Sequence, residues 1–375
     1  MSQQLLLIGG GHAHLGVLDS FARTPLRDTE ITLVSRFDRM IYSAMLPGWI
    51  AGHYQLEECA IHLPAVVERA GTTFFPYRVV AIDLVERVAY TQSGAPLPFD
   101  LLSLDIGPEI DREAIRGLGD HAISVRPVEK FVDAWQRIEA RFSGAAKPGT
   151  ITVVGGGAAG VEIALAIAHR VATSPLRLNV QLITGRPGLL PSLPAGVRKR
   201  VRRLLPQIGV RVIEDEAVAI GADRVQLARA GELPNDVTIA AIGTTAARWP
   251  RDCGLKCDAR GFISVNQSLQ SVSHPFVFAA GDCVSMVDFP RPRSGVYAVR
   301  AAPTLAANLR RAFAGRTLSR HAPAATAMYL LSAGAKNAIG TWGPFSFAGE
   351  RVWRWKDRMD RDFVARYNPD VPRPR

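Results

Sequence analysis

Residues 150–171 read TITVVGGGAAGVEIALAIAHRV, and this segment decides how the chain folds. The β-branched run at its start predicts a strand, and the apolar residues at three- and four-residue spacing near its end predict a helix. Between them, Gly155, Gly157 and Gly160 fill all three positions of a G-x-G-x-x-G turn. Such glycines permit a tight bend, let the backbone approach a pyrophosphate and let the helix pack close to the strand. We therefore expect a dinucleotide phosphate at the helix N-terminus, where unpaired N–H groups favour negative charge.

A similar turn lies near the start of the chain, where residues 5–16 read LLLIGGGHAHLG. Gly9 and Gly11 fill the first two positions, but His14 takes the third, so we expect looser packing between this helix and its strand. His12 and His14 raise the question of a metal site. Residues two apart on a helix do not face the same way, so we predict no metal here. Two such turns in one chain favour two dinucleotide sites over two plain tight turns.

A third segment, residues 274–286, reads HPFVFAAGDCVSM and predicts a strand that ends in Gly281-Asp282. Two other apolar segments also end in glycine: LLSLDIG at 101–107 and VTIAAIG at 237–243. In this order along the chain, these features resemble the two-dinucleotide-binding-domain flavoproteins, the pyridine nucleotide–disulfide oxidoreductase-like group. In that group the late aspartate accepts a hydrogen bond from the ribityl chain of FAD.

The resemblance implies an α/β fold with two Rossmann-like, three-layer domains built on parallel sheets. One domain is inserted in the other, and a small α+β tail follows. The alternation of strands and helices along the chain agrees with this architecture. We expect an FAD-binding domain at 1–108, an inserted NAD(P)-binding domain at 109–250, the return part of the FAD domain at 251–320, and a hairpin with a basic amphipathic helix at 321–375.

Three further segments point to a subgroup: IYSAMLPGWIAGHY at 41–54, SGVYAVRAAPTLAANLRR at 294–311 and VWRWKDRMDRDF at 352–363. They resemble the flavoprotein module often fused ahead of selenophosphate synthetase, which is akin to type II NADH dehydrogenases and sulfide:quinone oxidoreductases. In that module a G-G-G-H-A-H turn is the usual form, so the resemblance accounts for the histidine at the third glycine position.

The resemblance implies FAD as the cofactor and NAD(P)H as the co-substrate. Ligands of such sheets bind beyond the carboxyl ends of the strands, and the expected contacts come mostly from turns at those ends. The residues expected at FAD are Gly9, Gly11, His12, Ala13, Ser35, Arg36, Pro47, Val79, Gly281 and Asp282. Those expected at NAD(P)H are Gly155, Gly157, Ala159, Gly160, Arg186 and Gly243.

The acidic residue that usually ends the second strand and binds ribose is missing twice. In the first domain Ser35 takes its place, either as a weaker ribose ligand or only as a turn residue. In the inserted domain Thr184 and Gly185 stand there. Arg186 follows, either to meet the 2′-phosphate of NADPH or to lie in solvent. The sequence therefore leaves NADH and NADPH both open.

Three residues are candidates for catalysis. The resemblance places Glu162 near the nicotinamide or flavin ring, although a glutamate in a first helical turn also stabilises the helix dipole. Tyr42 and Tyr297, with Arg300 nearby, are expected to line the acceptor pocket. Disulfide reductases need a cysteine pair stacked on the flavin, but the first domain holds only Cys59. We therefore expect electrons to pass from the flavin directly to an acceptor.

The chain carries a formal net charge of +11. This favours anionic partners, but the basic residues are scattered, and we expect no nucleic acid. Four cysteines without a disulfide or zinc pattern indicate a reducing cytoplasm, and we identify no signal peptide. Near the end of the chain, apolar residues recur at helical spacing between arginines. That helix would either pack on the body or lie on an anionic membrane at its inner face.

Our first hypothesis is an FAD-dependent, NADH dehydrogenase-like NAD(P)H oxidoreductase whose acceptor is a quinone or another small molecule. It would work without a redox-active disulfide. One alternative is a flavin-dependent sulfide or selenide oxidoreductase linked to selenium metabolism. The other is a non-catalytic, flavin-bound sensor or accessory protein. The sequence does not indicate the oligomeric state.

Overall fold

Two parallel sheets form the centre of the fold in the computed structural model, which describes residues 2–290, 293–324 and 328–368. The strands of the first sheet, in spatial order, are Val277–Ala279, Leu101–Leu104, Gln3–Ile8, Thr29–Val34 and Thr73–Phe75. The strands of the second are Ala122–Ser124, Val237–Ala240, Gly149–Val154, Leu178–Ile183 and Val210–Ile213. The predicted α/β fold with two parallel sheets is confirmed.

The second sheet is built from chain that lies between the fourth and fifth strands of the first sheet in chain order, Leu101–Leu104 and Val277–Ala279. One unit is thus inserted in the other. The boundaries proposed from the sequence, at residues 108, 250 and 320, stay a prediction.

Ten α-helices lie within the described residues, and we number them in chain order. They are α1 (His12–Arg23), α2 (Leu46–Ile50), α3 (Leu63–Arg69), α4 (Leu118–His121), α5 (Val128–Phe142), α6 (Ala158–Thr173), α7 (Ala195–Gln207), α8 (Trp249–Asp252), α9 (Gly295–Phe313) and α10 (Glu350–Tyr367). Helices α1 and α6 begin directly after the two glycine turns, as predicted. Two short 3-10 helices span Leu56–Cys59 and Gly281–Cys283.

Smaller sheets flank the two central ones. Three antiparallel sheets have three strands each: Val79–Asp83, Val88–Thr91 and Pro96–Pro98; Ala217–Ile220, Arg224–Leu227 and Glu232–Pro234; Tyr329–Ser332, Ala338–Trp342 and Phe345–Gly349. Three pairs of strands complete the set: Arg39–Ile41 with Ala60–His62, Glu109–Ile110 with Thr244–Thr245, and Ile263–Val265 with Val284–Met286. We call Tyr329–Gly349 the C-terminal sheet, and α10 packs against it.

The register of the first sheet brings four strand ends together. Ile8 lies opposite both Val34 and Leu104, and Ala279 also lies opposite Leu104. Because all these strands are parallel, the turns that follow them meet at one edge of the sheet. That edge therefore carries the first glycine turn, Ser35, Asp105 and Gly281-Asp282.

The buried core of both central sheets is mostly apolar, and residues 5–8 are almost completely inaccessible to solvent. A few polar side chains, Ser103, Thr152, Gln181 and Thr238, are buried in the same strands. Such continuous burial is expected for parallel strands covered by helices on both faces. Within the described residues, we find no helix that is both long enough and apolar enough to cross a bilayer.

Candidate functional site

The first glycine turn is shaped by the backbone of a neighbouring strand end. Gly9 adopts a left-handed φ of +98°, and a Cβ there would collide with the carbonyl oxygen of Asp105. A Cβ on Gly11 would collide with the carboxyl group of Asp105. Only glycine fits these positions. They therefore leave the turn backbone open toward the cleft beside it.

His14 packs tightly at the third glycine position, contrary to the looser packing expected from the sequence. Its ring is completely buried; Nδ1 lies 2.7 Å from the Gly9 carbonyl oxygen and Nε2 lies 2.8 Å from the Ser103 hydroxyl. A carbonyl can only accept, so Nδ1 carries the proton and Nε2 accepts from Ser103. Burial lowers the pKa of His14 to about 4, although the Gly9 carbonyl acts in the opposite direction. The neutral ring therefore links α1 to the first sheet through these two hydrogen bonds.

A cleft of about 220 Å³ runs along this edge of the sheet. Seven residues expected at FAD line it: Gly9, Gly11, His12, Ser35, Arg36, Val79 and Asp282. Three others do not. Ala13 turns its amide to Asp105, Gly281 lies directly beside the cleft with a φ of +76°, and Pro47 is buried in α2, which packs on α6. The glycine cradle, the arginines and Asp282 fit a dinucleotide such as FAD.

Sequence reasoning missed several residues of the cleft. Arg126 and Glu129 enter it from the start of α5, and Trp249 enters from α8. The Nη2 atom of Arg126 lies 3.6 Å from Oδ2 of Asp282. Burial raises the pKa of Asp282, and Arg126 acts against that rise. In the sequence, Arg126 is marked only by its position after a strand of the second sheet. Its contact with Asp282 therefore could not be predicted from the spacing of residues.

The second glycine turn is also tightly packed. A Cβ on Gly155 would collide with the Ala241 carbonyl, and one on Gly160 with the Gly155 carbonyl. A Cβ on Gly157 or Gly243, in contrast, would meet no other part of the fold within 4 Å. The first and third glycines thus close the turn, and the open positions leave room for a ligand above it.

The region expected to choose between NADH and NADPH lies beside this turn. Thr184 is buried, whereas Arg186 is largely exposed. The Nε atom of Arg186 lies 3.5 Å from Oε1 of Glu216. An exposed pair of this kind contributes little to stability. Arg186 is therefore available to a ligand, and its role toward a 2′-phosphate stays a prediction.

A group of charged side chains lies on the far side of the cleft, under α10. The Lys356 ammonium is buried; it lies 2.5 Å from Oδ2 of Asp360 and donates to the Ala44 carbonyl at 2.7 Å. Ser43, the residue before Ala44, lines the cleft. Burial raises the pKa of Asp360, and Lys356 acts against that rise. We call Lys356, Asp360 and Glu162 the acid–base cluster.

Glu162 joins this cluster from α6. Its Oε1 accepts a hydrogen bond from the Ser332 amide at 2.7 Å, which ties α6 to the C-terminal sheet. Burial raises the pKa of Glu162 to about 7; Lys356 and the Ser332 amide act in the opposite direction, and Asp360 adds to the rise. A carboxyl group that titrates near neutrality is suited to proton transfer.

The two tyrosines expected at the acceptor lie apart. The ring of Tyr42 stacks on Phe363 at 4.4 Å and lies 5.6 Å from the ring of His12, which lines the cleft. Burial raises the pKa of Tyr42 well above its usual range, so its hydroxyl stays protonated. Tyr297, on α9, lines a separate cavity of about 50 Å³ that shares Asp282 with the cleft. Tyr42 is thus beside the acid–base cluster, whereas Tyr297 is on the other side of Asp282.

The four cysteines, all within the described residues, are free and none of them lines the cleft. Cys59 and Cys283 are buried, and burial raises the pKa of both thiols well above the usual range. A thiol needs to ionise to be a nucleophile. Burial therefore keeps both thiols protonated, although Arg361 and Lys356 act against the rise in the pKa of Cys59. Within the described part of the chain, we also find no group of side chains that could hold a metal ion.

Comparison with known proteins adds the family. The family described as pyridine nucleotide-disulphide oxidoreductase matches residues 3–302. Among characterised proteins, the demethylphylloquinone reductase NdbB of a Synechocystis species is 26% identical over 74% of this chain and 71% of that protein. The human ferroptosis suppressor protein 1 is 28% identical over 70% of this chain and 69% of that protein.

Solved structures agree on the fold. The sulfide:quinone oxidoreductase of Aquifex aeolicus superposes with a TM-score of 0.80 at 17% identity, over 98% of this chain and 92% of that one. The NDH2 of Plasmodium falciparum, in complex with NADH, superposes with a TM-score of 0.75 at 13% identity, over 100% of this chain and 99% of that one. At such identities the likeness concerns the fold alone.

Proposed function

Because the chain belongs to the pyridine nucleotide-disulphide oxidoreductase family and is an FAD-dependent NAD(P)H oxidoreductase, we propose that it passes electrons to a quinone. Bound FAD would supply the hydride and electron-transfer chemistry between NAD(P)H and the acceptor. The acceptor is the part that is proposed. The named activity of NdbB, a quinone reductase, supports it.

The observation that carries the proposal is the acid–base cluster beside a cleft that no cysteine lines. Reduction of a quinone to a quinol takes two electrons and two protons. A disulfide acceptor would need a thiol pair at the flavin, whereas a quinone needs proton donors there. Glu162 is a half-buried group that can exchange protons near neutral pH, and the buried Lys356 ammonium lies close enough to act on its pKa.

Each member of the cluster has a distinct task in this proposal. Lys356 donates a proton toward the acceptor, and Asp360 keeps the ammonium charged and fixed in place. Glu162 resupplies the proton from the side of α6, where it is held by Ser332. Tyr42, packed between His12 and Phe363, forms an aromatic wall against which a flat ring can lie.

The exposed surface next to the cluster supports a membrane location for the acceptor. Four large apolar side chains of the C-terminal sheet and α10 are exposed: Trp342, Phe345, Trp355 and Met359. Exposed arginines lie on α10 near Trp355 and Met359 in the sequence, and α7, whose Gly196 lies against Ser346 of the sheet, carries further exposed arginines and a lysine. An apolar patch rimmed by positive charge favours the surface of an anionic membrane. We name these four residues the apolar patch and propose that it docks peripherally, at the cytoplasmic face.

A stopped-flow experiment with matched variants tests the acceptor. Lys356→Met alone would leave Asp360 buried and unpaired, at a cost of about 3–5 kcal/mol. The double variant Lys356→Met/Asp360→Leu removes both charges at similar volume and should fold. We expect it to be reduced by NAD(P)H at the wild-type rate, and its reduced flavin to react with a soluble quinone about 100-fold more slowly.

Ferricyanide is the control acceptor, because it takes single electrons and no protons. The double variant should reduce ferricyanide as fast as the wild type. Quinone reduction at the wild-type rate in the double variant would remove the acid–base cluster from the mechanism. A wild-type protein whose reduced flavin does not react with quinone at all would contradict the proposed acceptor itself.

A further inference from the structure

The carboxyl group of Asp105 occupies an unusual place for an acid, between the glycine turn and the Gly281 turn. It is 4% exposed and lines the cleft. Its Oδ2 accepts hydrogen bonds from the amides of Ala13 at 2.7 Å and His14 at 3.1 Å, so it caps the first turn of α1 from a distant part of the chain. These amides are the groups that a diphosphate would otherwise use.

The other oxygen of this carboxyl group has a different environment. Oδ1 has no hydrogen-bond partner among the described residues, and it lies where a Cβ on Gly11 or Gly281 would collide with it. Two glycines are therefore required simply to make room for it. Oδ1 does not belong to the fully buried side-chain atoms that lack a partner in the described part of the chain. It is therefore open to the cleft, where the diphosphate of FAD would pass.

The charges of the neighbouring groups decide which protonation state of Asp105 suits that position. An ionised carboxylate would stand beside the negative diphosphate and beside Asp282, and like charges at such range repel. A neutral carboxyl group, in contrast, keeps Oδ2 as an acceptor for α1 and offers an O–H on Oδ1 as a donor. Burial raises the pKa of Asp105 to about 7, with Asp282 adding to the rise and the His14 and Ala13 amides acting against it.

We propose that Asp105 binds the diphosphate of FAD as a neutral carboxylic acid, so that FAD binding takes up one proton. This inference rests on FAD as the resident cofactor and not on the acceptor. FAD affinity is then linked to the protonation of Asp105. It is constant at pH values where Asp105 is already protonated, and it falls as pH rises above 7.

Other titratable groups lie around Asp105, and their titration has to be separated from its own. From α1 come His12 and His14, which burial keeps neutral by lowering each pKa to about 4. From the Gly281 turn come Asp282 and Cys283, whose pKa values burial raises. Two fixed positive charges act through Asp282 or His12: Arg126 and Arg293. Asp282 is thus the one neighbour that could imitate the effect of Asp105.

The test measures FAD release from the holoprotein after dilution, followed by FAD fluorescence between pH 6 and pH 9. We expect the dissociation constant of the wild type to be constant below pH 7 and to rise toward tenfold per pH unit above it, as one linked proton requires. Asp105→Asn keeps the acceptor for α1 and places an N–H in place of the O–H. It should retain FAD with no dependence on pH. Asp105→Ala should release FAD easily at every pH.

Asp215→Asn is the matched control, because Asp215 is also a buried acid that accepts backbone amides but lies in another part of the fold. It should release FAD like the wild type. Asp282→Asn should weaken binding at all pH values but keep the slope. A wild-type dissociation constant that does not change with pH would overturn the proposal. So would a slope that survives in Asp105→Asn or disappears in Asp282→Asn.

Discussion

At the scale of single residues, His14 shows how a bulky side chain replaces a glycine without loosening the turn. The ring fills the space between α1 and the neighbouring strand and satisfies both Gly9 and Ser103. A glycine at this position would allow close packing through the absence of a side chain. Here the same closeness comes from two buried hydrogen bonds, each of which is costly to leave unmade.

We predict that His14→Ala lowers the free energy of unfolding by about 3 kcal/mol at pH 7.5, through the cavity and the unpaired partners. The folded pKa near 4 lies below the unfolded value of 6.5. The folded wild type therefore binds fewer protons, and its stability falls as pH falls from 6.5 toward 4, by up to about 3 kcal/mol from this group. The difference between the two proteins should shrink in acid.

Urea unfolding at pH 7.5 and 4.5 measures this difference. The exposed His121 provides the control, and His121→Ala should change the stability by less than about 0.5 kcal/mol. A difference between wild type and His14→Ala that is equally large at both pH values would show that the imidazole is not held neutral in the fold.

At the scale of elements, the glycine turns could be predicted because each is a local pattern. Strand, bend and helix follow one another within about twenty residues, and the same residues that set the pattern make the contacts. Asp105 could not be predicted in this way. It stands in the segment LLSLDIG, and its task depends on amides almost a hundred positions earlier in the chain.

Helix α10 is a second case where the local pattern was insufficient. Its periodicity predicted an apolar face through Val352, Trp355, Met359 and Phe363. Val352 and Phe363 are half-buried, but Trp355 and Met359 are both 45% exposed. The fully buried residues are Lys356, Asp360, Val364 and Tyr367, so the buried face carries two charges beside its apolar side chains. The reason is tertiary: the Ala44 carbonyl and Asp360 satisfy the ammonium. A helix can bury charged side chains when other parts of the fold pair with them. The spacing of apolar residues along the helix does not reveal those pairing groups.

The exposure of Trp355 and Met359 leads to a prediction about the apolar patch. Trp342 and Phe345 face each other across the hairpin of the C-terminal sheet and are 67% and 75% exposed. Trp342→Glu/Phe345→Glu should reduce binding to anionic phospholipid vesicles at least tenfold, because it removes apolar area and adds repelling charge. Stability should change by less than about 1 kcal/mol, since neither side chain belongs to the core.

Co-sedimentation with vesicles of phosphatidylserine and phosphatidylcholine measures this binding. Val85 offers a matched control, because it is 88% exposed in a turn elsewhere on the first half of the chain. Val85→Glu should bind vesicles like the wild type. If the three proteins sediment equally, the apolar patch does not dock on membranes.

At the scale of the whole molecule, the cleft joins parts of the chain that are far apart in sequence. Its lining runs from Ile8 to Ala298 and includes the ends of two first-sheet strands, the turn after a third, the start of α5, a residue of α8 and the start of α9. A ligand along this cleft would touch segments that otherwise meet only through the core. Cofactor binding and global folding should therefore be strongly coupled.

We predict that free FAD at about 100 times its dissociation constant stabilises the protein by about 2.7 kcal/mol, which raises the melting temperature by several degrees. FMN is the matched comparison, since it carries the flavin but lacks the diphosphate bridge and adenosine that would extend along Gly9, Gly11 and Ser35. Calorimetry with each flavin measures the shift. FMN should stabilise much less than FAD, because the glycine turn at the first sheet is built to hold the part that FMN lacks. Equal shifts with both flavins would mean that this turn contributes nothing to binding, and the cleft would then hold the cofactor by its ring alone.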